Sequence, residues 1–147
     1  VEPEACARFG RLLADAVRGR RVLIVASSDL AHYPRAEDAV RVDAATLEWM
    51  ARMDVSALVR GERDVQAGGT PGLATRACGL GPILVAIEAA RRLGAARGIV
   101  ISYANSSAVA AGTQERVVGY GAVALAPGNG EPDLTALNRP RPDASGR

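Results

Sequence analysis

The chain has 147 residues, a formal net charge of +2, 48% hydrophobic but only 3% aromatic residues, and two cysteines. That is enough for one domain with an aliphatic core, while its basic residues, all arginine, are scattered without interleaved aromatics and argue against nucleic-acid binding. No apolar run nears the ~20 residues of a membrane span, and two cysteines with no CxxC pair exclude a disulfide framework and fit a reducing, cytoplasmic compartment.

The absence of lysine beside abundant alanine and glycine reads as the codon bias of a GC-rich bacterial genome. The opening residues Val1 to Ala5 have neither the basic nor the apolar region of a signal peptide. They read instead as the first turn of a helix, which suggests a piece of a longer reading frame. Residues 2–18 form that amphipathic helix, with Pro3 in its first turn and Gly19 just past its end. Phe9, Leu12, Leu13, Ala16 and Val17 fall on one face, with Arg8, Arg11, Asp15 and Arg18 off it. Residues 22–26 are continuously apolar and largely β-branched, the pattern of a strand buried on both faces in a parallel sheet. Residues 27–34 then leave the carboxyl end of that strand, where layered α/β sheets bind ligands.

A helix is predicted over 36–53, with Ala39, Val42, Leu47 and Met50 inward, and a shorter one over 54–60 capped by Asp54. Residues 61–81, rich in glycine, proline and small side chains, read as a long loop. Residues 82–93 form a helix that is apolar almost all round until Arg91 and Arg92, hence deeply buried, and Gly94 ends it. A second buried strand follows at 99–104, a polar loop at 105–115 and a third strand at 117–126, in which Gly119 and Gly121 point to close approach of another backbone. Residues 127–147 show no apolar period and predict a disordered tail. The alternation of helices and strands gives a layered α/β domain over 1–126.

The loop after the first apolar run gathers Ser27, Ser28, Asp29, Tyr33 and the sole histidine, His32. A lone loop histidine is often a solvated one. Here a buried strand would aim the whole group at one place, which favours a site role. An imidazole moves protons near neutral pH, and Asp29 is placed to fix its tautomer or the loop itself. Cys78 lies just ahead of a helix start, where unpaired N–H groups favour a thiolate, the metal-binding form. It reads equally well as a small buried hydrophobe. Cys6, in mid-helix, reads as packing. The glycine-rich residues 67–72 lack the lysine and spacing of a phosphate cradle. Ser27, Asp29 and His32 lie too close together for a hydrolase triad and have no GxSxG elbow. Tyr103, Asn105, Ser106 and Ser107, after the second strand, read either as lining of the same cleft or as a solvated loop.

The succession Ser27-Ser28-Asp29-Leu30-Ala31-His32-Tyr33, Asp43, Cys78-Gly79 with Pro82-Ile83, Tyr103-Ala104 with Ser106-Ser107, and Val117-Val118-Gly119-Tyr120 resembles the Memo family, whose prokaryotic members are called AmmeMemoRadiSam system protein B. The resemblance covers the C-terminal half of a family member. It implies the α/β fold of class III extradiol dioxygenases, which use non-haem iron(II), here as a C-terminal partial domain. It implies a metal centre of two histidines from the N-terminal half and one cysteine, matched by Cys78. His32 matches a site histidine that serves acid–base chemistry, and Asp29 a neighbouring acid. The implied cofactor of the full-length protein is iron, with copper as the alternative, and the implied partners are a radical-SAM protein and an Ammecr-domain protein. Ala108 stands where many prokaryotic members carry an acid.

Three readings follow. The first is a metal-dependent redox protein or oxidoreductase. The second is a non-catalytic binding or adaptor module that uses the old cleft. The third is a truncated product, because one histidine and one well-placed cysteine do not complete a closed metal site.

Overall fold

A computed structural model of the chain describes residues 1–109, 112–128 and 130–138. Helix α1 spans Pro3–Val17, α2 Ala36–Ala51, α3 Val55–Gln66 and α4 Leu80–Arg92; strand β1 spans Arg97–Asn105 and β2 Gly119–Ala126. Among the described residues the fold is mixed helix and sheet, with β1 and β2 paired antiparallel from Arg97 against Ala126 to Asn105 against Gly119 and a bulge between Val100 and Ser102. The antiparallel sense has a physical reason. Among the described residues of the connection there is one short 3-10 turn, Ser106–Ala108, whereas parallel neighbours need a full crossover, usually a helix.

Each helix has a local cause. Asp54 Oδ1 accepts the Ala57 N–H and starts α3, as its cap predicts. That helix does not stop at 60 but runs through Gly61 to Gln66. Gly61 is there for space: a Cβ would fall 2.5 Å from the Trp49 ring. Helix α4 starts at Leu80, which puts Pro82 inside its first turn, where a missing N–H costs nothing. It buries Leu80, Ile83, Leu84, Ile87 and Ala89.

Helix α1 lies along α4, but not on the predicted face. Phe9 and Leu12 are 59% and 67% exposed, and the buried positions are Gly10 and Ala14. Small residues win because the helices approach too closely for large ones; a Cβ on Gly10 would fall 2.8 Å from the Val85 carbonyl oxygen. Cys6 packs against the main core, which is built from Leu30, Leu47, Met50, Leu58, Leu84, Ile87 and Val100 among others.

Residues 22–26 are not a strand. Leu23 is 86% and Val25 74% exposed, and none of their backbone groups is paired with another among the described residues. An all-apolar strand is stable only with neighbours on both edges and both faces. Here the segment instead borders one side of an apolar cavity of about 710 Å³ that α4 and β2 line on the other. The chain regains β pairing only at Leu30, whose N–H donates to the Gly119 carbonyl, and Gly119 N–H returns a bond to Ala31.

The predicted tail folds as far as Asn138. Asp133 bridges to Ile99, Thr135–Asn138 form a 3-10 turn, and Leu134 and Leu137 pack on the core. Residues 139–147 of that predicted tail lie outside the described residues. No helix among the described residues is long and apolar enough to cross a membrane.

Candidate metal centre

His32 owes its position to backbone pairing on both sides. Its N–H donates to the Thr75 carbonyl and its own carbonyl accepts from Ala74, while the next residue, Tyr33, donates to Val117. His32 is thus a rung between residues 74–75 and 117–118, bridged to both Thr75 and Val118. Tyr33 adopts φ +75°, a strained conformation for a bulky residue. It is held there by the Val117 bond and by Arg116, whose guanidinium lies 4.1 Å from the centre of the Tyr33 ring. The ring centres of Tyr33 and His32 are 5.3 Å apart.

The approach to α4 brings Cys78 to the same place. Gly79, the N-cap of α4, sits against the 27–28 backbone so closely that a Cβ would fall 2.6 Å from the Ser27 carbonyl oxygen. Gly79 N–H donates to Ser28 Oγ at 2.8 Å, and Ser28 Oγ–H donates to the Asp29 carbonyl at 2.7 Å. The Asp29 N–H in turn donates to Cys78 Sγ at 3.3 Å. Glycine at 79 is therefore required by contact between two loops. Gly81, which faces open space, is not.

The result is a three-residue cluster. A carboxylate oxygen of Asp29, a ring nitrogen of His32 and Sγ of Cys78 lie within 4.8 Å of one another. His32 Nε2 is 3.7 Å from Asp29 Oδ2, too long for a hydrogen bond. That nitrogen is buried and has no hydrogen-bond partner among the described residues. An unpaired buried ring nitrogen costs free energy unless something else occupies it. The Cys78 side chain is exposed, so the reading of it as a buried hydrophobe fails. Sulfur, imidazole nitrogen and carboxylate at these separations form a donor set that fits a transition-metal ion. The sequence-predicted residues Asp29, His32 and Cys78 are all brought together.

Tyr103 and Asn105 are tied to one another and, through Tyr103, to Asp43 of α2. Tyr103 O–H donates to Asp43 Oδ2 at 2.8 Å, and Asn105 Nδ2 donates to the Tyr103 oxygen at 3.4 Å. Asn105 Oδ1 accepts from Ser107 N–H and Oγ–H, and Ser106 Oγ accepts the Val118 N–H. Asp43 itself is fully buried, and its other oxygen accepts the Ala31 N–H at 2.8 Å. Burial pushes its carboxyl up from 3.8 to about 6, against the opposing pulls of the Ala31 N–H, the Tyr103 hydroxyl, Arg76 and His32. Sequence reasoning assigned Asp43 no role beyond its place in the motif. Its signal was an acid on the inward face of α2, next to Val42.

The close approaches at Gly119 and Gly121 are by side chains rather than another backbone. A Cβ on Gly119 would fall 1.9 Å from Asp43 Oδ2, and one on Gly121 2.7 Å from a Leu47 methyl.

The Memo-like protein family model matches residues 1–124. A MEMO1 family protein of Methanosarcina mazei is 34% identical over 124 residues, which cover 83% of this chain and 43% of the relative. One of Aquifex aeolicus is 38% identical over 120 residues, covering 82% and 42%. One of Nitrosopumilus maritimus is 35% identical over 116 residues, covering 78% and 38%. The mixed helix/sheet chain with its Asp–His–Cys cluster belongs to the Memo family. It spans less than half the length of these relatives.

Proposed function

We propose that the chain supplies the thiolate-bearing half of a metal-dependent redox centre in a Memo-type oxidoreductase. The convergence of Cys78 Sγ, His32 and Asp29 around a buried, unpartnered imidazole nitrogen carries the reading. Cys78 would hold the ion, iron(II) or copper, and His32 and the Asp29 carboxylate lie within reach of it. A bound ion of this kind supplies one-electron redox chemistry and Lewis acidity.

The chain's own residues do the rest. Asp29 presents its N–H to the sulfur and its carboxylate to His32. His32, held at both backbone edges, is the group placed beside the ion's site for acid–base work. The proposal assigns the remaining ligands to the part of a Memo protein that this chain does not span. With it go a fold related to class III extradiol dioxygenases, a cytoplasmic location, and partnership with a radical-SAM protein and an Ammecr-domain protein.

The test is an anaerobic iron(II) titration of the wild-type chain and of Cys78→Ser. Weakening by about 10-fold or more in the variant is expected, since it loses a direct ligand rather than a supporting group. Equal affinity in the two proteins contradicts the proposal.

A further inference from the structure

The cluster is made of two loops that arrive from different parts of the chain, and both are tied to one turn of α2. On one side, Asp43 Oδ1 accepts the Ala31 N–H, the peptide that precedes His32. On the other, Arg76, two residues before Cys78, donates through Nη1 to the Val42 carbonyl at 3.2 Å and to Thr46 Oγ1 at 3.4 Å. Residues 42–46 therefore fix where each loop starts its approach. The Asp43 tie is doubly held. Its second oxygen receives the Tyr103 hydroxyl from β1, and Gly119 of β2 leaves the space that the carboxylate fills. Gly119 also bonds Ala31 and Leu30 directly.

We infer that Asp43 is a positioning residue for the Cys78–His32 cluster, which its carboxylate sets by spanning from the Ala31 N–H to the Tyr103 hydroxyl. Asp43 is not one of the three clustered residues; it acts through Ala31. Without the carboxylate, the peptide before His32 loses its buried acceptor, and the ring is free to turn away from the sulfur. Asparagine at this position keeps an oxygen for Ala31 and places an amide against the Tyr103 oxygen, so the geometry survives without the charge. The inference rests on the metal reading above for its consequence, but not for its geometry.

Two measurements separate the two. Cobalt(II) is titrated into the 147-residue chain, followed by the sulfur-to-cobalt absorption band and the visible ligand-field bands. The Cε1–H resonance of His32, the only histidine in the chain, is followed by NMR without metal. Asp43→Ala is expected to weaken cobalt(II) by about 10–100-fold, the usual effect of losing a group that orients a ligand, and to move or broaden the His32 resonance. Asp43→Asn is expected to restore both. Where Asp43→Ala does not fold, Tyr103→Phe removes one arm of the tie with almost no loss of volume and is expected to shift both readouts in the same direction. Wild-type cobalt affinity together with an unmoved His32 resonance in Asp43→Ala, or in Tyr103→Phe in its place, overturns the inference. A wild-type chain without a sulfur-to-cobalt band overturns the metal reading instead, and the His32 resonance then decides on Asp43 alone.

Discussion

Asp43→Asn makes a sharp test of the energetics at the heart of the fold. The wild-type carboxyl is fully buried and its pKa is raised from 3.8 to about 6, chiefly by desolvation. A raised value in the folded state means that the folded chain holds this proton more tightly than the unfolded chain does. The stability contributed by this group is therefore fully present below about pH 4 and is lost as pH rises through about 6. A gap of about two pH units, at about 1.4 kcal/mol each, gives about 3 kcal/mol across that window. Asparagine keeps the bond to Ala31 and carries no charge at any pH. The variant and the wild type should thus be nearly equal in stability at pH 4, and the variant should be more stable by up to about 3 kcal/mol at pH 8. Urea unfolding, followed by the single tryptophan Trp49 at intervals between pH 4 and 8, measures the difference directly, and titrating groups that do not interact with Asp43 cancel in it. A difference that stays flat with pH, or a variant less stable than wild type at pH 8, refutes the reasoning.

Other substitutions probe the remaining joints. Gly79→Ala puts a methyl 2.6 Å from the Ser27 carbonyl oxygen and 2.7 Å from Ser28 Cβ. Thermal unfolding should show a loss of about 1–3 kcal/mol, the usual cost of overpacking, whereas Gly81→Ala, in open space, should not cost this. Leu47→Ala removes a fully buried side chain at the centre of the core and should cost about 2–5 kcal/mol in urea unfolding. Leu23→Ser and Val25→Ser, at exposed positions, should each change stability by only about 0.5 kcal/mol. A loss of several kcal/mol at either position would restore the buried strand that the sequence pattern suggested.

Periodicity and caps carried well wherever local rules governed. Asp54 marked the start of α3, and the inward set Ala39, Val42, Leu47 and Met50 of α2 is buried as read. Cys78 and His32 were legible because one precedes a helix start and the other sits among polar residues after an apolar run, and the structure brings them together. What failed depended on contacts far away in sequence. Gly61 looked like a breaker but is a contact point for Trp49, and Gly10 with Ala14, not Phe9 with Leu12, meets α4. Residues 22–26 have the composition of a doubly buried strand, yet composition does not supply the neighbours that bury one. Asp43 was visible only as a motif letter, because its importance lies in Ala31, Tyr103 and Gly119, which no spacing rule connects to it.

X-ray absorption at the iron edge of the iron(II)-loaded chain, prepared without oxygen, examines the convergence of sulfur and imidazole most directly. The account predicts a sulfur neighbour at roughly 2.3 Å, a usual metal–thiolate distance, accompanied by nitrogen or oxygen neighbours, and its disappearance in Cys78→Ser. Iron surrounded by oxygen and nitrogen alone in the wild-type chain would contradict it.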